Sequence, residues 1–535
     1  MRLATKLKDY KSYIINLIVP ALVFGFITGT VTSFVVMLYK LLAHYVIDFS
    51  SQMYGFLRTH LYYVPVLLIA LFGASVLLAL IFKKDPNLKG GGIPISIGVL
   101  RGIITFKWLR SLIGVFTLSL FTFLVGVPLG NEGPSVQMGT SVGRGTVYLF
   151  ARGKHRAWDR YTMTGGACAG FSVATGAPIS GILFAIEEAH QRISPTIMIV
   201  ASSSVIFANI TSRQLSKVFG ISTALFEKLE LPQLEIKELW LPLVVGVVLG
   251  IVGSVILKYY KVSKHFFGKT LKKVPTYVKI FLIMALTVFV GVITFSGVST
   301  GHELMLSLFE NKISLGILLF ILFARIILTI GASTNGISGG MFIPSLAIGA
   351  TVSAILGKCL ILCGLDESFY PVILVLGIVA TLSGFMKSPL TAMIFAVEAL
   401  SCYHNITMVI IVALIAYFTT ELFGAKSIND SAMETRVEEQ NEGKEHVIAS
   451  TYVTVMHGSF AIGKQIRDIF WPANLFVLSV KKSNDESEEV DEHGGKELRA
   501  GDILHVQYSS LDEKTTLYEL EGIVGKQMQN TPTSV

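Results

Sequence analysis

Two apolar blocks of this chain recur at nearly one interval, and that interval constrains the fold more than any single residue does. The block Gly130-Asn131-Glu132-Gly133-Pro134-Ser135-Val136-Gln137-Met138-Gly139 is echoed by Gly340-Met341-Phe342-Ile343-Pro344-Ser345-Leu346-Ala347-Ile348-Gly349. The pairs Gly130/Gly340, Pro134/Pro344, Ser135/Ser345, Gly139/Gly349 and Val142/Val352 all stand 210 residues apart. Downstream, the run from Pro178 to Glu187 matches the run from Pro389 to Glu398 at an interval of 211. Two separate blocks sharing one offset imply a duplicated unit of about two hundred residues, a pattern common in transporters. The letters leave open whether the copies run parallel or inverted.

The duplicated region belongs in a membrane. The chain is 52% hydrophobic and 15% charged, with a mean hydropathy of +0.64. Such values fit a polytopic membrane protein. Apolar runs recur at 14–38, 64–82, 239–257, 280–295, 315–330 and 406–418. Others, at 111–130, 164–187 and 371–397, are broken by Gly or Pro. Broken segments mark half-helices around a binding site.

Within that apolar sequence stands Glu132, where an ionisable side chain is costly and marks function. Pro134 suits the first turn of a helix, so the acid lies at a helix start. Helix starts attract anions through unpaired amides and the dipole. A carboxylate there occupies the anion's place when charged and leaves it when protonated. One residue then couples anion movement to proton movement. The copies differ at this point: Glu132 faces Phe342 in the repeat, and Glu187-Glu188 faces Glu398-Ala399. Glu187 and Glu398 occupy equivalent positions, which favours a shared structural role for them.

The net charge of +8 fits basic loops on one membrane side better than nucleic-acid binding. Met1–Lys11 reads as an interfacial helix leading into the first span. Cys168, Cys359, Cys363 and Cys402 form no disulfide framework. The helical spacing of Cys359 and Cys363 is better explained by apolar packing than by a metal. Arg325, inside an apolar run, is expected to pair with an acid or with carbonyls. His44 and His190 read as interfacial.

These motifs resemble the CLC family of chloride channels and proton/chloride antiporters. Gly90-Gly91-Gly92-Ile93-Pro94 corresponds to the family's Gly-Ser-Gly-Ile-Pro. Gly130–Pro134 corresponds to Gly-Arg-Glu-Gly-Pro, and Gly340–Pro344 to Gly-x-Phe-x-Pro. The resemblance spans about residues 10–430. It implies an all-α polytopic membrane domain built as an inverted repeat with broken helices, in a homodimer with one pore per subunit. It implies a gating role for Glu132 and an internal proton role for Glu188. Anion binding is implied for Gly91, Gly92, Ile93, Met341, Phe342 and, in place of a tyrosine, Asn429. Gly91 lacks the family's serine hydroxyl, and Asn131 replaces an arginine beside the gate. Chloride/proton antiport is therefore the expected function. Fluoride/proton exchange and passive anion conduction are the alternatives.

After Gly424 the composition changes. The domains expected are a transport domain over 1–430, a charged linker over 431–445 and a small α/β module over 446–535. Strands are expected at 447–456, 475–481 and about 503–507, a short helix at 462–469, a polar loop at 483–495 and a closing element at 517–525. Gly463-Lys464, the strand Leu475–Val480 and Leu498-Arg499-Ala500-Gly501-Asp502 resemble the TrkA C-terminal (RCK-C) domain. That family implies a cytoplasmic, dimerising, ligand-sensing module, with cyclic di-AMP as its ligand. A module of stability or dimerisation alone is the plainer reading. The resemblances together imply a bacterial plasma membrane protein with both termini cytoplasmic, no cofactor and no metal. The chain carries no Thr-Val-Gly-Tyr-Gly filter of a potassium pathway. It also carries no His-Glu-x-x-His metalloprotease motif.

Overall fold

The computed structural model describes residues 17–150, 156–226, 229–441, 447–483, 488–489, 494–526 and 533–534. The expected interfacial helix at Met1–Lys11 lies outside these residues. The first copy of the repeat comprises α1 (Val19–Thr59), α2 (Val64–Lys84), α3 (Ile93–Leu100), α4 (Trp108–Val125), α5 (Glu132–Phe150), α6 (Asp159–Thr175), α7 (Pro178–Phe184) and α8 (Pro195–Phe219). The second comprises α9 (Trp240–His265), α10 (Thr276–Ile293), α11 (His302–Leu308), α12 (Leu315–Thr334), α13 (Phe342–Leu362), α14 (Tyr370–Met386), α15 (Pro389–Glu398) and α16 (Ile406–Leu422). Element matches element at the spacing of the sequence repeat. The starts of α5 and α13 are 210 residues apart, and those of α6/α14, α7/α15 and α8/α16 are 211 apart.

Among the described residues nine helices are long and apolar enough to cross a membrane. Helices α3, α7, α11 and α15 are too short to do so and stay inside as half-helices. Helices α5 and α6 are rich in Gly, Ser and Thr rather than Leu, because they pack against each other almost backbone to backbone. A methyl at Gly139 would strike the Gly166 carbonyl, and one at Gly166 would strike that of Gly139. In the second copy Gly349 sits against Thr381 and Gly377 against Ser353. Apolar burial drives little helix association in lipid, so small residues that permit close approach do that work. Arg325, on α12, is buried, and its guanidinium donates to the carbonyls of Ser296 (2.9 Å), Val298 (2.6 Å) and Ser299 (3.4 Å).

Helix α17 (Ile428–Asn441) runs into the segment read as a linker. Its polar side chains have partners on the membrane domain: Glu439 pairs with Lys89 at 3.3 Å, and Gln440 donates to the Thr105 carbonyl at 3.0 Å. The charged run is therefore a docked helix as far as Asn441. The tail is a five-stranded antiparallel sheet, β1 (Val447–Thr454), β2 (Leu475–Lys481), β3 (Glu488–Glu489), β4 (Ile503–Ser510) and β5 (Thr533–Ser534), in the order β3-β2-β4-β1-β5. Helix α18 (Glu513–Val524) closes it, burying Leu520, Ile523 and Val524. The helix expected over 462–469 shrinks to one tight turn at Ile466–Asp468. Gly463 takes a left-handed conformation (φ +74°), and Gln465 bridges to Glu497, so the segment follows the sheet instead.

Candidate ion-transport site

Three glycine loops meet where the two copies face each other. Gly130 and Gly340 exchange both backbone hydrogen bonds, at 2.6 and 2.7 Å, in an antiparallel bridge. These are equivalent residues of the repeat, and a reciprocal contact between equivalents is the signature of a local two-fold axis. The third loop is stitched on by Gly90, whose amide donates to the Gly336 carbonyl (3.1 Å) and whose carbonyl accepts from Gly339 (3.3 Å). At Gly92, φ is +76° and a Cβ would collide with the Gly133 carbonyl, so only glycine fits.

Helices α3, α5 and α13 all begin at this junction. Each carries proline in its first turn (Pro94, Pro134, Pro344), where a missing amide hydrogen breaks no helical bond. The repeat accounts for two of these starts, those of α5 and α13; the third, that of α3, follows the Gly90–Pro94 motif. The positive ends of three helix dipoles are thus gathered at one junction. Gly91, Gly92, Ile93, Met341 and Phe342 all lie here. The Ile93 amide donates to the Gly91 carbonyl at 2.8 Å, and the Phe342 ring packs edge-on against Phe171 and Phe395.

Glu132 reaches across this junction. Its side chain is fully buried, and among the described residues neither carboxylate oxygen has an aligned hydrogen-bond partner. One oxygen packs over Gly130, and the amides of Glu132 itself and of Ile343, in the first turn of α13, are close enough to act on it electrostatically. The acid of one copy thus covers the helix start of the other. Two further groups share this electrostatic neighbourhood, Lys40 and His302. Lys40 is held by the carbonyls of Val173 and Ala174, both at 3.3 Å. Sequence reasoning missed both groups. The available signal was a lysine in the middle of a 41-residue apolar helix.

Glu188 belongs to a second cluster. It sits in a wide helical turn, Ala185–His190, with its side chain buried. The Asn429 side-chain amide donates to its carboxylate. Asn429 therefore has its amide on the internal acid, while the other expected anion-binding residues gather at the glycine junction. Arg101, immediately after α3, donates to the backbone carbonyls of Glu188 and Ala189, each at 2.9 Å, and pairs with Asp430 at 3.1 Å. Helix α3 thus spans from the junction to this turn, about 12 Å at the helical rise. A cavity of about 770 Å³ opens beside the turn, lined by Arg101, Glu187, Arg192, Lys387 and Lys426 among others.

Glu187 and Glu398 take the shared structural role their repeat positions pointed to. Glu187 accepts from the amides of Leu390 (2.8 Å) and Thr391 (2.7 Å) and the Thr391 hydroxyl (2.7 Å), capping α15. Glu398 accepts from the amides of Ile179 (2.8 Å) and Ser180 (2.9 Å) and the Ser180 hydroxyl (2.8 Å), capping α7. Each half-helix is closed by the acid of the other copy. The run Gly336–Gly340 has the Gly-x-Ser-x-Gly spacing of a hydrolase elbow. Ser338 is buried there, however, with its hydroxyl donating to the Leu88 carbonyl at 2.5 Å.

Residues 73–421, well over half of the chain, match the family described as "Voltage gated chloride channel". The H(+)/Cl(-) exchange transporter ClcA of Citrobacter koseri is 28% identical over 376 residues, covering 68% of this chain and 76% of the relative. ClcA of Klebsiella pneumoniae is 29% identical over 371 residues, with the same coverage. Among solved structures, a slow cyanobacterial Cl-/H+ antiporter superposes with a TM-score of 0.70 at 23% identity, over 79% of this chain and 99% of that one. A CLC-type fluoride/proton antiporter gives 0.61 at 20%, over 76% and 96%.

Proposed function

The chain belongs to the voltage-gated chloride channel (CLC) family, and from that premise we propose that it exchanges protons for chloride or a related anion across a membrane. It is a multi-pass membrane protein, and its relatives are transporters rather than enzymes. The observation that carries the proposal is the buried Glu132 carboxylate, without an aligned hydrogen-bond partner among the described residues, lying over the first turn of α13. A charged carboxylate and a permeant anion compete for the same amides. Protonation removes the charge and lets the side chain leave, admitting the anion. Glu188, beside the tail-side cavity, takes the proton at the other end. Met341, Phe342 and the Gly91–Ile93 loop hold the central anion through backbone groups.

Fluoride is the second reading, and Gly91 favours it. With no hydroxyl at Gly91 and the Asn429 amide on Glu188, side-chain donors to a central anion are scarce. In vesicles, an imposed chloride gradient is expected to drive proton movement against the proton gradient. A fluoride gradient with the stronger effect would select the second reading, and anion flux without pH change would leave a passive channel. The same assay tests Gly91→Ser. A Cβ at Gly91 would meet its nearest neighbours at an ordinary 3.5 Å, so the added hydroxyl fits. It is expected to shift relative rates toward chloride by about tenfold, the worth of one hydrogen bond to a charged group. Unchanged relative rates would place Gly91 away from the anion.

The reading extends to a homodimer in a bacterial plasma membrane, with both termini cytoplasmic and the tail as a TrkA-C (RCK-C)-like regulator of cyclic di-AMP sensing. The small antiparallel sheet closed by α18 and docked on the membrane domain supports a regulatory placement. Cyclic di-AMP added on the tail side should change the exchange rate; an unaltered rate together with no measurable binding removes that ligand.

A further inference from the structure

The tail touches the transport domain at several points, Phe460 against Trp158 and Tyr161 among them, and one of its side chains is placed against the turn that carries Glu188. Phe470, in the tail loop between β1 and β2, is almost fully buried in the membrane domain. Two guanidinium groups lie over its ring, those of Arg160 (5.1 Å) and Arg192 (4.6 Å). It also packs against the rings of Tyr161 (4.4 Å) and His190 (4.5 Å). The backbone around it is gripped too. The Tyr161 hydroxyl donates to the Asp468 carbonyl (2.9 Å) and accepts from the Phe470 amide (3.3 Å), and Arg160 donates to the Trp471 carbonyl (2.6 Å).

His190 is the last residue of the turn Ala185–His190, two positions after Glu188. Its second contact is with the Thr164 hydroxyl, at 2.8 Å. From the opposite side Arg101 holds the carbonyls of Glu188 and Ala189. The turn is of the wide π type, whose internal bonding is rare and which clusters at functional sites. The turn is gripped from outside at several points: by Arg101 on its carbonyls, by the start of α15 on Glu187, by Asn429 on Glu188, and at its last residue by Thr164 and the Phe470 assembly on His190.

We infer that Phe470 is a positioning residue for proton transfer: by clamping His190 it sets how Glu188 is presented to Asn429 and the tail-side cavity. Docking of the tail and the proton branch of exchange are then one mechanical unit. A tail that shifts, for whatever cause, alters proton transfer before it alters the anion path, because the glycine junction lies at the other end of α3. This inference rests on the proton role proposed for Glu188.

The test is the ratio of proton to anion flux in vesicles reconstituted with full-length protein. Phe470→Leu keeps an apolar side chain but loses ring stacking and the cation–π contacts, whereas Phe470→Tyr keeps both. Phe470→Leu is expected to lower the ratio roughly three- to tenfold, the worth of such aromatic contacts, and Phe470→Tyr to restore it. In a Glu188→Gln background, Phe470→Leu should change the ratio no further. If proton and anion flux fall together with the ratio intact, Phe470 is only an anchor for the tail and the inference is overturned. If Glu188→Gln alone leaves the ratio unchanged, the proton role of Glu188 has failed. If Phe470→Leu does not yield folded protein, Arg192→Lys, which weakens the clamp from one side, gives the same readout.

Discussion

Glu132→Gln is expected to abolish proton movement driven by an anion gradient while anion flux continues. The two side chains have nearly the same shape, so the junction of glycine loops is not disturbed. What changes is that the amide cannot release or take a proton near neutral pH, and it carries no charge to compete with an anion for the first turn of α13. Loss of a proton-transferring side chain costs about a hundredfold or more in the step it serves. Anion-driven pH change in vesicles should fall by that factor. Anion flux measured with an electrode in the same vesicles should be kept or increased. A variant that still pumps protons uphill on an anion gradient would remove Glu132 from the mechanism. The substitution should also leave thermal stability equal or raised. The native carboxylate is buried without an aligned partner among the described residues, and an uncharged amide is less costly to bury than a carboxylate. A lowered melting temperature would mean that Glu132 makes a stabilising contact in the resting protein. An equal or raised melting temperature would mean that the residue is held at the expense of stability, as groups at working sites often are.

The sequence was most informative where both copies of the repeat kept the same letters for the same physical reason. Glycines 139 and 349 permit close helix contact in both halves, and the acids at 187 and 398 cap the opposite half-helix in both. A two-fold arrangement makes those demands twice, so the text repeats. Positions where the halves have diverged were harder to read. Helix α11 is the partner of α3, yet the loops before them share little beyond Gly91 and Gly301, so the repeat pointed to two helix starts and only the family motif Gly90–Pro94 pointed to the third. Lys40 and His302 come near Glu132 only through the fold, from helices far apart in the chain. Asn429 was assigned by register, and register does not say which way a side chain turns; it turns to Glu188. The polar residues of α17 looked like those of a solvated linker, because nothing in their order reveals that Lys89 waits to pair with Glu439 and the Thr105 carbonyl with Gln440. Phe470 carried no signal at all: one aromatic in a short loop of a separate module looks the same whether it fills a core or clamps a neighbour.

Gly133→Ala, a single added methyl, is expected to disable transport. Locally the change should help. Gly133 lies in the first turn of α5 at an ordinary negative φ, and alanine is favoured over glycine in a helix by about 1 kcal/mol. The obstacle is tertiary. A Cβ there would overlap the Gly91 carbonyl oxygen and come within 2.7 Å of the Gly340 Cα. Both neighbours are backbone, one from each of the other two loops, so no side chain can rotate out of the way. Room for the methyl comes only by separating the loops, which strains the paired bonds between Gly130 and Gly340 and moves the amides proposed to hold the anion. Overpacking of this kind costs about 1–3 kcal/mol, and a shift of that scale in donors to an anion lowers flux by roughly tenfold or more. Gly73→Ala in α2 is the control, because nothing within 4 Å would meet its Cβ. It should leave flux intact and melting unchanged or slightly raised. Equal behaviour of the two variants would mean that the loops yield easily. A yielding junction could not hold helix starts rigid against a competing carboxylate, so the same pair of measurements probes whether selectivity here rests on fixed backbone geometry.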